Sequence, residues 1–142
     1  MNDPETGYIV IDASIWVSRL VPQDVFHSSV SAWLETQRLN GQFFLSPGLL
    51  LPEVAGAISR RTGDASLAQR AVNRLQNLPG LRLVEMDLSL IETAAHLAAD
   101  LGLRGADAVY VATAFALKLP LATLDQDQKE RAASTVAVQN LA

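Results

Sequence analysis

The sequence predicts an α/β fold, a three-layer α/β/α sandwich around a central parallel sheet of four to five strands. Three observations carry that expectation. Short apolar, β-branched or aromatic runs alternate along the chain with longer segments of helical apolar spacing. Gly, Pro and Asn punctuate most of the changes between the two. No internal repeat, low-complexity tract or linker-like stretch interrupts the alternation, so residues 1–142 are expected to form one domain. Strands separated by helices pair in parallel through crossovers, and a parallel sheet needs cover on both faces.

Each element follows in order. Tyr8, Ile9, Val10 and Ile11 form a short run that ends at Asp12, the pattern of a buried strand. Ser14 can cap a helix in which Ile15, Trp16, Val17 and Leu20 keep helical spacing up to Pro22. A second helix is expected from Asp24 to Leu39, with Val25, Val30, Trp33 and Leu34 on its apolar face and Asn40-Gly41 as its stop. Phe43 to Leu45 reads as a strand. Pro52 suits the first position of a helix that ends at Gly63, and Asp64 to Leu78 reads as another, closed by Pro79-Gly80. Leu81 to Val84 is the third strand. Helices over Leu88–Leu101 and Gly105–Leu119 stop at Gly102 and Pro120, and Leu121 to Thr123 is a fourth strand. A helix from Gln126 to Ala133 and a strand from Thr135 to Val138 finish the chain.

Composition narrows the chemistry. Hydrophobic residues make up 49% of the chain and charged residues 18%, enough to build a core and too apolar for disorder. Cysteine is absent, which excludes disulfides, thiolate metal sites and a catalytic thiol. His27 and His96 are the only histidines, too few for a multi-His zinc site. No apolar run reaches the roughly 18 residues that a membrane span requires. Met1, Asn2, Asp3, Pro4 and Glu5 are wrong for a secretory signal, so a cytoplasmic location is expected. The formal net charge is −4, so a nucleic-acid partner would need a local basic surface or a bound metal ion. All cations except Lys118 and Lys129 are arginine, the better partner for phosphate.

The expected topology gathers four acids. Asp12 and Asp125 follow the C-terminal ends of two strands, and Glu53 and Asp107 stand in the first turns of two helices. Crossover helices run antiparallel to the strands, so all four fall at one sheet edge, where open α/β sheets bind ligands. Taken singly each has an ordinary explanation. Glu53 and Asp107 complement helix dipoles, Asp125 suits an N-cap, and Asp12 an Asx turn. Jointly they repel: two carboxylates about 4 Å apart cost roughly 4 kcal/mol at an effective dielectric of 20. Such a set must spread, take up protons or hold a cation, and an all-carboxylate site without His or Cys suits Mg²⁺ or Mn²⁺. That ion orients a phosphate and lowers the pKa of a bound water.

Four ordered segments resemble the PIN domain family. They are Ile9 to Ser14, Leu51 to Ile58, Gly105 to Ala114 and Leu121 to Asp125, and the small size resembles the VapC-type toxins of toxin–antitoxin pairs. The resemblance implies a metal-dependent endoribonuclease that leaves a 5′-phosphate and a 3′-hydroxyl. Asp12, Glu53, Asp107 and Asp125 would bind Mg²⁺ or Mn²⁺ and hold the attacking water. Ser14 and Thr123 match hydroxyl residues that orient a carboxylate from behind. Asp127 competes with Asp125 for the last acidic position, and the Thr-x-Asp spacing favours Asp125. An antitoxin, an RNA substrate and a homodimer are the partners the family implies.

Other residues have weaker claims. Arg60, Arg61, Arg70 and Arg74 could grip RNA or simply solvate helix faces. Trp16, Val17, Leu20 and Trp33 could line an antitoxin groove, although core packing explains them better. Tyr110 and Arg104 lie near enough to Asp107 to touch substrate. Three other functions compete: a PIN nuclease of RNA processing that is no toxin, a receiver-like phosphoacceptor domain, and a catalytically dead interaction module, against which the four intact acids argue. The second wants a Lys just after a late strand, and Lys118 precedes one instead.

Overall fold

A computed structural model describes residues 7–141, and the expectation for Met1 to Glu5 lies outside them. Strands β1 (Gly7–Ile11), β2 (Gln42–Pro47), β3 (Leu81–Val84) and β4 (Leu121–Ala122) form one sheet in the order β3-β2-β1-β4. All three neighbouring pairs are parallel, with Ile9 opposite Phe44, Ile11 opposite Ala122 and Phe44 opposite Leu81. The seven helices among the described residues are α1 (Ala13–Leu20), α2 (His27–Leu39), α3 (Leu50–Thr62), α4 (Ala65–Gln76), α5 (Leu88–Leu101), α6 (Gly105–Leu117) and α7 (Gln126–Ala132).

The period-two alternation of β1 divides the core. Ile9 and Ile11 face one side, with Phe44, Trp16, Trp33, Val54 and Ile58 from the sheet and helices α1 to α3. Val10 and Leu45 face the other, against Tyr110, Val111 and Ala114 of α6 and Ala94 of α5. The first face is filled by large side chains. The second lets alanine-rich helices approach closely, and α6 is buried all round from Ala108 to Ala114. Gly63 and Gly102 end α3 and α5 with φ of 69° and 68°, a left-handed conformation that costs glycine little.

Three local expectations change. The last strand, Thr135 to Val138, shrinks to a single bridge between Val138 and Leu121, so the sheet has four strands. Helix α2 begins at His27 instead of Asp24, because the Asp24 carboxylate accepts from Ser18 Oγ (2.7 Å) and from the Phe26 backbone N–H (2.9 Å) and holds a loop there. The cap of α1 is Asp12, not Ser14. No helix among the described residues is long and apolar enough to cross a membrane.

Candidate functional site

The site begins where β1 ends. Asp12 leaves the strand, its backbone N–H donating to Ala122 O, and its carboxylate caps α1 by accepting the Ser14 N–H at 3.1 Å. The Ser14 hydroxyl donates to Asp12 Oδ1 at 2.5 Å, and the Thr123 hydroxyl donates to Oδ2 at 2.5 Å. Each hydroxyl is itself fixed, since Ser14 Oγ accepts the Leu124 N–H and Thr123 Oγ1 accepts the Asp125 N–H, both at 3.0 Å. The turn after β4 is thus fastened to the end of β1 through one carboxylate. Asp12 is only 5% exposed. Burial outweighs these hydrogen bonds and pushes its carboxyl up to about 6.

The other acids stand nearer the rim. Glu53, in the first turn of α3, accepts a 2.6 Å hydrogen bond from Tyr110 OH, which ties α3 to α6. The Tyr110 ring is buried, and desolvation followed by the Glu53 contact raises its phenol, which therefore stays a donor. Asp107 stands one turn before Tyr110 on α6, and partial burial raises its carboxyl despite a neighbouring guanidinium. That guanidinium is Arg104. Its Nε donates to Asp107 Oδ2 at 3.1 Å and its Nη2 to Asp125 Oδ2 at 2.8 Å. Asp125 Oδ1 meanwhile caps α7 through the Gln128 N–H at 3.1 Å, so the ordinary capping role and the position at the site coexist.

Asp127 turns outward. Both its oxygens accept from Arg131 Nε, at 2.9 and 3.0 Å, and the side chain is 63% exposed. It contacts neither Thr123 nor Asp12 and acts on Asp107 only through its charge. Sequence reasoning underrated three residues. Tyr110, a candidate for substrate contact, fastens Glu53, and Arg104, another, bridges two acids. Gln128, fully buried, sends its amide toward Asp107 O at 3.4 Å. A tyrosine one turn after an acid and an arginine one turn before it were visible signals. Gln128 carried none.

A cleft of about 730 Å³ opens beside two of these acids, Glu53 and Asp125, and its lining includes Ser14, Phe26, Arg60 and Arg61. Arg61 is held by Asp24 at 2.8 Å. Arg70 bonds Ser66 on its own helix, and Arg74 lines a small separate hollow with Trp16 and Leu20. Trp16, Val17 and Trp33 are buried in the core, so the apolar stripe is packing. His27 holds Ser18 O through Nδ1 at 2.9 Å and His96 is exposed on α5. Neither lines the cleft.

The donor set fits a hard divalent cation in chemistry: four carboxylates, no sulfur or imidazole, and one buried carboxylate whose charge lacks a counter-ion. Among the described residues, however, no three such side chains stand close enough to hold an ion as they are. The place between Asp107 and Asp125 is taken by Arg104.

The model of the PIN domain family matches residues 9–134. No curated protein sequence matches the chain. Among solved structures, the chain is similar to VapC20 of Mycobacterium tuberculosis, a sarcin–ricin loop cleaving toxin, with a TM-score of 0.76 and 19% identity over 93% of this chain and 99% of that one. It is similar to a chain of VapBC2 from Rickettsia felis, with a TM-score of 0.72 and 15% identity over 94% and 98% of the two chains. FitAcB from Neisseria gonorrhoeae gives 0.69 and 24% over 94% and 97%. At these identities the likeness is one of fold.

Proposed function

The chain belongs to the PIN domain family, and on that premise we propose that it is a Mg²⁺- or Mn²⁺-dependent endoribonuclease, the toxin of a type II toxin–antitoxin pair. The observation that carries this reading is the gathering of Asp12, Glu53, Asp107 and Asp125 at the C-terminal edge of the sheet, where Glu53 and Asp125 line a cleft together with Arg60 and Arg61. A receiver-like reading loses support, since Lys118 ends α6 and lines a hollow with Pro120 and Val136, away from the acids.

The chain's own residues divide the work. Asp12, locked by two hydroxyls, is the fixed inner carboxylate of the ion site. Asp107 and Asp125 complete it from the rim, and Glu53, steadied by Tyr110, holds the attacking water in line. Bound there, the ion would lower the pKa of that water and stabilise the leaving 3′-oxygen. Arg60 and Arg61 take the flanking phosphates, and the half-exposed Phe26 offers a face to an unpaired base. A cognate antitoxin, a homodimer and a cytoplasmic location complete the reading.

The test is cleavage of labelled cellular RNA by antitoxin-free protein, in Mn²⁺ or Mg²⁺ against EDTA. Metal-dependent cutting that Asp107→Asn abolishes is the expected outcome. Folded, metal-bound protein that cuts no RNA would overturn the reading.

A further inference from the structure

We infer that Arg104 is a built-in counter-ion that occupies the place of the divalent cation and has to yield it when the ion binds. The inference rests on the metal-site reading above and goes beyond it, because it concerns what the protein does when no ion is bound.

The geometry is specific. Arg104 joins two carboxylates that come from different segments, Asp107 on its own helix at 3.1 Å and Asp125, 21 residues away in sequence, at 2.8 Å. It uses two different nitrogens, so the planar guanidinium spans the gap between the acids as a fork. Both Asp125 oxygens already have a partner, Oδ1 the α7 cap and Oδ2 Arg104, and it is the guanidinium that stands between Asp125 and Asp107. An ion shared by Asp107 and Asp125 would have to enter where the guanidinium bridges them. The cap is a backbone bond that starts a helix, whereas the Arg104 side chain is 74% exposed and leaves without disturbing the core.

Charge dictates the same exchange. A guanidinium and a divalent ion on the same pair of carboxylates would repel each other across a few ångströms, so the two states exclude one another. In the ion-free state Arg104 relieves the repulsion between Asp107 and Asp125 and keeps the turn before α7 against the start of α6. Arg104 also precedes α6 as its extended N-cap residue, with φ −64° and ψ 150°, so its side chain stands at the helix end, largely in solvent. The Arg131–Asp127 pair at the same rim lacks this position, because it lies along one face of α7 and touches neither Asp107 nor Asp125.

The test is calorimetric titration of MnCl₂ into EDTA-stripped protein, comparing wild type with Arg104→Gln, Arg104→Lys and Arg131→Gln. Competition by two ion pairs that share one exposed guanidinium predicts that Arg104→Gln binds Mn²⁺ about five- to tenfold more tightly than wild type. Arg104→Lys, which keeps the charge but cannot bridge, should fall between them, and Arg131→Gln should stay within about twofold of wild type. Thermal unfolding in EDTA should show Arg104→Gln melting lower than wild type, with a larger rise on adding Mn²⁺.

Equal or weaker Mn²⁺ binding by Arg104→Gln would overturn the inference, as would an equal gain in Arg131→Gln, which would reduce the effect to net charge. Absence of Mn²⁺ binding in every variant would overturn it together with the metal-site reading. Tighter binding by Arg104→Gln in a protein that cuts no RNA would leave the inference standing and remove only the nuclease.

Discussion

The inner end of the site and its rim solve the same problem in different ways. At the inner end one carboxylate, Asp12, is buried and receives only neutral donors, two hydroxyls and the backbone N–H groups that open α1. At the rim two carboxylates, Asp107 and Asp125, share one exposed guanidinium, that of Arg104. Neutral donors orient a charge without neutralising it, so the inner carboxylate keeps its desolvation cost and its appetite for a proton or an ion. An exposed guanidinium neutralises without burying anything, and it can leave. The inner end is therefore a fixed anchor and the rim a replaceable one.

Asp12→Asn should break this contrast most severely. RNA cutting should be lost altogether, while the ion-free fold gains stability at neutral pH. The sign follows from the raised carboxyl. A group near 6 in the fold and 3.8 when unfolded favours the fold below about 4, and that contribution is lost as pH rises through 6. Ionised, it costs roughly 3 kcal/mol. In EDTA, wild type should lose stability relative to Asp12→Asn between pH 4 and 6 in thermal unfolding. Parallel curves for the two proteins across that range would refute the account.

Thr123→Val comes next. It removes the donor to Asp12 Oδ2 and the acceptor for the Asp125 N–H, and the buried groups left behind cost about 1–3 kcal/mol in chemical denaturation. Mn²⁺ affinity, read by calorimetry, should fall about 10–100-fold, the usual effect of losing an orienting partner behind a ligand. Asp127→Asn should have the smallest effect, within about 0.5 kcal/mol in stability, because it removes only an exposed i,i+4 pair. Its cleavage rate should match wild type. A loss as large as that of Asp107→Asn would move the fourth acid from Asp125 to Asp127.

Local patterning made much of this legible. The run Tyr8 to Ile11 ending in Asp12, and Glu53 and Asp107 in first helical turns, needed only periodicity and the antiparallel course of crossover helices to reach one edge. The last strand was not legible in the same way. Thr135 to Val138 has the residues of a strand, yet β4 offers only Leu121 and Ala122 as an edge, and one bridge forms. Asp24, the expected start of the second helix, serves instead as a tie between Ser18, Phe26 and Arg61.

By itself, the sequence determined the order of elements, the parallel sheet and the edge at which the acids meet, because those depend on hydrophobic period and chain direction. Tertiary structure alone decided which donor each acid receives. Thr123 meets Asp12 across 111 residues, Tyr110 meets Glu53 across 57, and Arg104 reaches Asp125 across 21. Hydrogen bonds act over about 3 Å, a scale set by how helices pack on the sheet and by which rotamers that packing leaves open. No spacing along the chain encodes it.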